Sequence, residues 1–131
     1  MIRLRIPGGQ TSGQVLRRLT ELAPAYGNGG GQLTSRAGLQ LRGLPDPLPA
    51  DLVAAIVATG VLPAPSHERV RNIVASPLTG LSGGLADLRP LIADLESALI
   101  ADPALAELPG RFLFVLDDGR GDVAGLTFDL A

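Results

Sequence analysis

The 131-residue sequence contains no cysteine. Disulfides, thiolate metal sites and cysteine nucleophiles are therefore excluded within this chain. Lysine is absent too, so all eleven basic side chains are arginine. Histidine occurs once, as His67 in "PAPSHE", where it reads as a solvated loop residue and not as a ligand or base. The longest apolar run, "LVAAIVATGVL" at 52–62, falls short of the roughly 20 residues that a spanning helix needs. The start, "MIRLRIPGG", is too short and too charged for a secretory leader. No tandem repeat is visible. A cytoplasmic protein is expected, with neither a membrane nor a nucleic-acid partner.

What is present is one domain, or one and a part. At 46% hydrophobic the chain can bury a real core. Its charge is uneven. Residues 1–72 hold eight arginines against four acids, and residues 73–131 hold three against nine. Arginine without lysine has a plain reading in codon bias. It also has a chemical one, since guanidinium pairs carboxylate or phosphate through two parallel hydrogen bonds.

"IRLRIP" alternates strictly and reads as a half-buried strand, ended by Pro7, Gly8 and Gly9. "TSGQVLRRLTELAPAYG" switches to helical period. Val15, Leu16, Leu19, Leu22, Ala23 and Tyr26 share a face, with Thr11 or Ser12 as the start cap and Gly27 as the end. "GNGGG" follows a helix instead of preceding one, so it is a turn and not a phosphate loop. "LTSRAGLQLRGL" at 33–44 alternates Leu33, Leu39 and Leu41 against Thr34, Arg36, Gln40 and Arg42. A break near Ala37 and Gly38 allows two short strands. "ADLVAAIVATG" is a second helix burying Leu52, Val53, Ile56 and Val57, and "VRNIVAS" a further strand.

This order is the split βαβ, or ferredoxin-like, pattern. The expected fold is α+β. An antiparallel sheet containing segments 2–6, 33–42 and 70–75 carries two helices on one face. The other face is left open and holds Arg3, Arg5, Thr34, Arg36, Gln40 and Arg42. The half-domain spans residues 1–76. Residues 77–131 add a helix at 86–101, with Leu88, Leu91, Ile92, Leu95 and Leu99 as its stripe and Asp87 as its cap. A β-hairpin, "RFLFVL" and "VAGLTFDLA" around a "DDGRGD" tip, is expected to follow.

Three segments carry a resemblance: "GGGQLTSRAGLQLRGL", "HERVRNIVASPLTG" and "LPGRFLFVLDDGRGDVAGL". Together they resemble the nitrite/sulfite reductase superfamily, and within it the precorrin-3B synthase branch of aerobic cobalamin biosynthesis. The resemblance implies that residues 1–76 are the family's ferredoxin-like half-domain and 77–131 the truncated start of its siroheme and iron–sulfur domain. It implies that Arg36, Gln40, Arg42, Arg71 and Asn72 face the carboxylates of a tetrapyrrole, here a precorrin. Catalytic residues stay unassigned, and no metal ligand is expected. The family's 4Fe–4S cluster needs cysteine thiolates, so neither the cluster nor siroheme is expected on this chain alone. Both would belong to a full-length enzyme, the remainder of the same polypeptide being the partner. The chain alone is then not catalytic, and a truncated chain can self-associate.

Two rivals stand beside this reading. One is a fragment of an assimilatory nitrite or sulfite reductase using siroheme. The other is a stand-alone, non-catalytic tetrapyrrole-binding or interaction module. Plain readings of single residues also stay open. Arg36 and Arg42 can be solvated surface groups, and Arg71 can pair with the nearby Glu68. "DDGRGD" lacks the spacing of a calcium loop. Ser76 and Thr79 have no visible base partner.

Overall fold

The computed structural model describes all 131 residues. The first strand, β1 (Ile2–Arg5), pairs antiparallel with β3 (Gly38–Leu41), and β3 pairs antiparallel with β2 (Gly31–Leu33), in the order β1-β3-β2. The register sets Leu4 opposite Leu39 and Ile2 opposite Leu41. Helix α1 (Gly13–Tyr26) and helix α2 (Ala50–Ala58) cover that apolar face. Leu19 and Ala23 of α1 and Leu52 and Ile56 of α2 join Leu4, Leu39 and Leu41 in one core. Each fully buried leucine or isoleucine contributes about 1.5–3 kcal/mol. The antiparallel sheet with two helices on one face is thus as expected.

Local chemistry sets the helix ends. Ser12 Oγ accepts from the Val15 amide at 3.1 Å and caps α1. Gly27 ends α1 for a different reason than left-handed backbone. A Cβ there would lie 2.8 Å from the Gly43 carbonyl oxygen, so only glycine permits that approach of two backbones. Tyr26 donates its hydroxyl to Asp51 Oδ2 at 2.7 Å and ties α1 to α2. Val53 and Val57, expected inside, are exposed, because a nine-residue helix on a three-stranded sheet buries only a narrow stripe.

Two expectations fail in the second half. Strand β4 (Ile73–Ala75) does not extend the first sheet. It pairs parallel with β5 (Phe114–Leu116), and helix α3 (Arg89–Ala101) lies between them in sequence. The expected hairpin is therefore a βαβ unit. "IVA" and "FVL" are short continuous apolar runs, and such runs suit strands covered on both sides. Ile73, Ala75, Ile92, Leu99 and Phe114 form one core there, and Val74, Leu113, Val115 and Val123 a smaller one. The chain after β5 loops outward and returns with Leu130 bridged parallel to Phe114. "DDGRGD" is a braced loop. Asp117 collects the amides of Gly119, Gly121, Val123 and Ala124.

The turn after β1, Pro7–Gly9, joins the two cores by packing on β4 and α3. Gly8 sits at φ +65°, and a Cβ on it would fall 2.6 Å from Ile92 Cδ1. Both the backbone and the contact demand glycine.

Candidate functional site

Residues directly opposite each other in an antiparallel pair share a face. The register puts Arg3 opposite Gln40, Gln40 opposite Gln32, and Arg5 opposite Gly38. The face turned away from the helices is therefore polar across all three strands. Loss of the expected fourth strand does not remove it, because the residues that make it lie on β1, β2, β3 and the turn between β2 and β3. In that turn, Thr34 donates its amide to the Gly38 carbonyl at 2.9 Å, and Gly38 donates to Thr34 Oγ1 at 3.0 Å. Ala37 takes a left-handed φ of 54°. The turn carries Arg36 over the sheet, where its Nη1 donates to the Arg111 carbonyl at 2.8 Å.

A cavity of about 570 Å³ results. Arg3, Arg5, Arg36, Arg42 and Arg111 line it, with Gln32, Gln40 and Asn72 between them. Leu33 is its single apolar wall residue, and no carboxylate lines it. None of the five arginines takes part in an ion pair. Five guanidinium groups around a cavity with no carboxylate in its wall attract an anion into their midst. Burial holds the Arg5 guanidinium below its ordinary pKa. Arg3, Arg71 and Arg69 push the same way, and Glu68 opposes them.

Two amides hold the inner arginines. With its carboxamide assigned so that the oxygen faces β1, as the surrounding donors require, Gln40 accepts from Arg3 Nε at 2.9 Å. Asn72 Oδ1 accepts from Arg5 Nε at 2.7 Å. The Asn72 Nδ2 group donates to the carbonyls of Arg69, Gly110 and Phe112 at 2.9, 3.1 and 3.2 Å.

Of the sequence-predicted residues, the structure brings Arg36, Gln40, Arg42 and Asn72 to the cavity. It does not bring Arg71, whose side chain is 3% exposed and turned elsewhere. Arg71 Nε and Nη2 donate to Glu96 Oε1 at 2.9 and 2.6 Å, and Nη1 donates to Glu68 Oε2 at 2.6 Å and to the Val61 carbonyl at 3.0 Å. The plain reading of Arg71 as a partner of Glu68 is the one the structure gives, with Glu96 added. Arg3 and Arg5 stand on the open face as expected but were not among the predicted site residues. Arg111 carried no signal beyond being one of three arginines in an acidic half.

Other chemistry-bearing groups are structural. His67 is buried at 5% exposure, against expectation. Its Nε2 meets the Asp102 carbonyl at 2.9 Å and its Nδ1 meets Ser66 Oγ at 2.8 Å, so the ring joins two turns. Ser76 donates to Asp122 Oδ1 and accepts from the Asp118 amide. Asp117, Asp118 and Asp122 lie close together. Backbone amides, Arg120 and Ser76 already occupy all of their oxygens except Asp122 Oδ2. No helix is long and apolar enough to cross a membrane.

Residues 1–58 match the family described as the nitrite/sulfite reductase ferredoxin-like half domain. The chain is similar to the ferredoxin–nitrite reductase of Synechococcus elongatus, 35% identical over an aligned length of 127 that covers 92% of this chain and 25% of that protein. It is also similar to the ferredoxin–nitrite reductase of Leptolyngbya laminosa, 34% identical over 86% of this chain and 23% of that protein. The chloroplastic ferredoxin–nitrite reductase of Zea mays is 30% identical over 86% of this chain and 21% of its own length. The chain thus spans about a quarter of the length of these curated relatives. No solved structure matches.

Proposed function

From the match of residues 1–58 to the nitrite/sulfite reductase ferredoxin-like half domain, we propose that this chain is the tetrapyrrole-arm-binding part of a nitrite or sulfite reductase-like oxidoreductase. The observation that carries the proposal is the cavity of five arginines with no carboxylate in its wall. A siroheme-type ring bears many carboxylate arms, and each arm matches a guanidinium fork. Arg3, Arg5, Arg36, Arg42 and Arg111 would hold those arms. With Leu33 as its single apolar residue, the cavity suits the ring's anionic rim and offers no bed for the flat macrocycle.

When bound, the siroheme iron would supply electron transfer to a small anion. This chain's residues would orient the ring, neutralise its arms and keep a positive potential where an anionic substrate approaches. The chain offers no thiolate for an iron–sulfur cluster, so those ligands would come from the remainder of a longer polypeptide. On this reading residues 77–131 are the start of the cofactor domain. The precorrin-3B synthase reading uses the same basic cavity for a precorrin's arms. It rests on "LPGRFLFVLDDGRGDVAGL", whereas the relatives reported above are nitrite reductases, which favours the first reading.

The test is titration of the 131-residue chain with uroporphyrin, which has eight carboxylates, and with protoporphyrin, which has two. Uroporphyrin should bind more tightly, and added salt should weaken it. Equal binding, or none, would overturn the proposal. For the chemistry, nitrite consumption by full-length protein with a low-potential electron donor supports the reductase, and turnover of a precorrin with oxygen supports the other reading.

A further inference from the structure

Resting on the reading of the cavity as a carboxylate receptor, we propose that Asn72 is a positioning residue that acts through Arg5 and makes no contact with the ligand. Asn72 lies on the cavity wall and is almost completely buried. An asparagine side chain has two amide hydrogens and one carbonyl oxygen to offer. Both hydrogens face carbonyls, those of Arg69, Gly110 and Phe112. The oxygen takes Arg5 Nε at 2.7 Å. Nothing on Asn72 is left for a carboxylate.

Arg5 is in the opposite condition. Its Nε is held by Asn72, and its two Nη groups make no hydrogen bond to the protein. The backbone on either side is fixed as well. The Arg5 amide donates to Glu68 Oε1, and the residue pairs with Gly38 in the sheet. Gly38 has no side chain to cover the guanidinium, and a Cβ there would meet the Leu4 carbonyl at 2.9 Å. Arg5 lines the cavity beside Asn72, so the free end of its fork is available there. A guanidinium fixed in advance loses less freedom on pairing with a carboxylate than a free one does.

Asn72 also spans the two halves of the chain. It follows Arg71 just ahead of β4, it receives Arg5 from β1, and it ties down the carbonyls of Gly110 and Phe112 on either side of Arg111. One side chain thus ties β1 to the segment ahead of β5.

The experiment is a double-mutant cycle on the 131-residue chain, with uroporphyrin as the probe. Arg5→Met should weaken binding about tenfold or more, the loss of one charge-assisted bond pair. Asn72→Ala should weaken it by a similar factor. In the Arg5→Met background, Asn72→Ala should add less than about twofold, because its route of action is already gone. The second readout is the Arg5 Nε–H resonance, which should be shifted and protected from exchange in the wild type and lose both features in Asn72→Ala. Full additivity of the two changes, or an Arg5 Nε–H signal unmoved by Asn72→Ala, would overturn the inference. Asn72→Ala also strips three carbonyls of a donor and can fail to fold. Arg5→Lys leaves every backbone contact of Asn72 in place and keeps the test decisive. It should bind nearly as poorly as Arg5→Met, and wild-type affinity for Arg5→Lys would show that a held fork is not what matters. If wild-type chain binds no uroporphyrin, the cavity reading itself falls and takes the inference with it. If wild type binds and only the cycle is additive, the cavity reading stands alone.

Discussion

Arg36 Nη1 and the Arg111 carbonyl oxygen lie 2.8 Å apart, although 75 residues separate them in sequence. This bond runs from the β2–β3 turn to the loop ahead of β5. It closes one side of the basic cavity and leaves the other donors of Arg36 without a protein partner.

Arg36→Ala should therefore weaken uroporphyrin binding about tenfold or more, the scale of a charge-assisted bond at 1.5–3 kcal/mol. Arg36→Lys should recover part of this, since lysine keeps the charge and loses the fork. Arg18→Ala, on the exposed side of α1, should change nothing measurable. Because Arg36 is exposed, its removal should shift the thermal midpoint little. Equal affinity for wild type and Arg36→Ala would mean that Arg36 serves the loop contact alone.

Arg71 should behave in the reverse way. Its guanidinium is held by Glu68 and Glu96, which are themselves 17% and 26% exposed. Removing one partner of a buried pair costs about 3–5 kcal/mol. The partial exposure of both acids places Arg71→Met at or below the lower end. Urea unfolding should show a loss of that order, while folded Arg71→Met binds uroporphyrin as well as wild type. A selective loss of binding with unchanged stability would return Arg71 to the ligand.

These two arginines show what was legible in the sequence. Alternation in "IRLR" and "LQLR" placed Arg3, Arg5, Gln40 and Arg42 on a polar face, because strand geometry enforces a period of two. The same logic cannot place Arg71 or Asn72. They sit between a turn and β4, where no period governs side-chain direction. Leu33 keeps its apolar register opposite Leu39, yet it is 76% exposed because β2 is an edge strand. The parallel pairing of β4 with β5 depends on α3 as a crossover, and nothing within "FVLDDGRGDV" distinguishes that from a hairpin. Arg111 enters the cavity only through that tertiary arrangement. His67 looked solvated because Pro, Ser and Glu surround it in sequence, and a carbonyl 35 residues away buries it.

The turn after β1 offers a paired test of packing. Gly8 and Gly9 both have left-handed backbone, at φ +65° and +67°. Their surroundings differ. A Cβ on Gly8 would strike Ile92, whereas one on Gly9 would touch Ala37 Cβ at an ordinary 3.6 Å. Gly9→Ala should cost about 1–2 kcal/mol, the left-handed penalty alone. Gly8→Ala should add an overpacking cost of about 1–3 kcal/mol. Trimming the obstruction with Ile92→Val should make Gly8→Ala less damaging than it is in the wild-type background. Equal losses at the two glycines in denaturant melts would show that the contact between this turn and α3 carries no strain.

The loop after β5 should set the acid limit of the second half. Backbone amides hold the Asp117 carboxyl below the usual carboxylate range, Gly121 first, then Val123, Gly119 and Ala124. The Asp118 carboxyl is also held low, chiefly by the Arg120 side chain. For a carboxyl whose folded pKa is depressed, the native state binds fewer protons than the unfolded state. Its contribution to stability is then full above the unfolded pKa, near 4, and disappears as pH falls through the lower folded value. Hydrogen exchange in residues 113–130 should therefore be unchanged from neutral pH down to about 5 and should accelerate below about 4, after correction for the intrinsic rate. In the first half the carboxyl held low is Asp51, by its exposed contact with Tyr26, a weaker brace. Residues 2–6 and 38–41 should stay protected to lower pH. Asp117→Asn keeps an acceptor for some of the amides and removes the titrating group. It should lower protection at neutral pH and flatten the acid dependence. Acid loss of protection that starts in β1 and β3 and spares 113–130 would show that the Asp117 loop does not govern it.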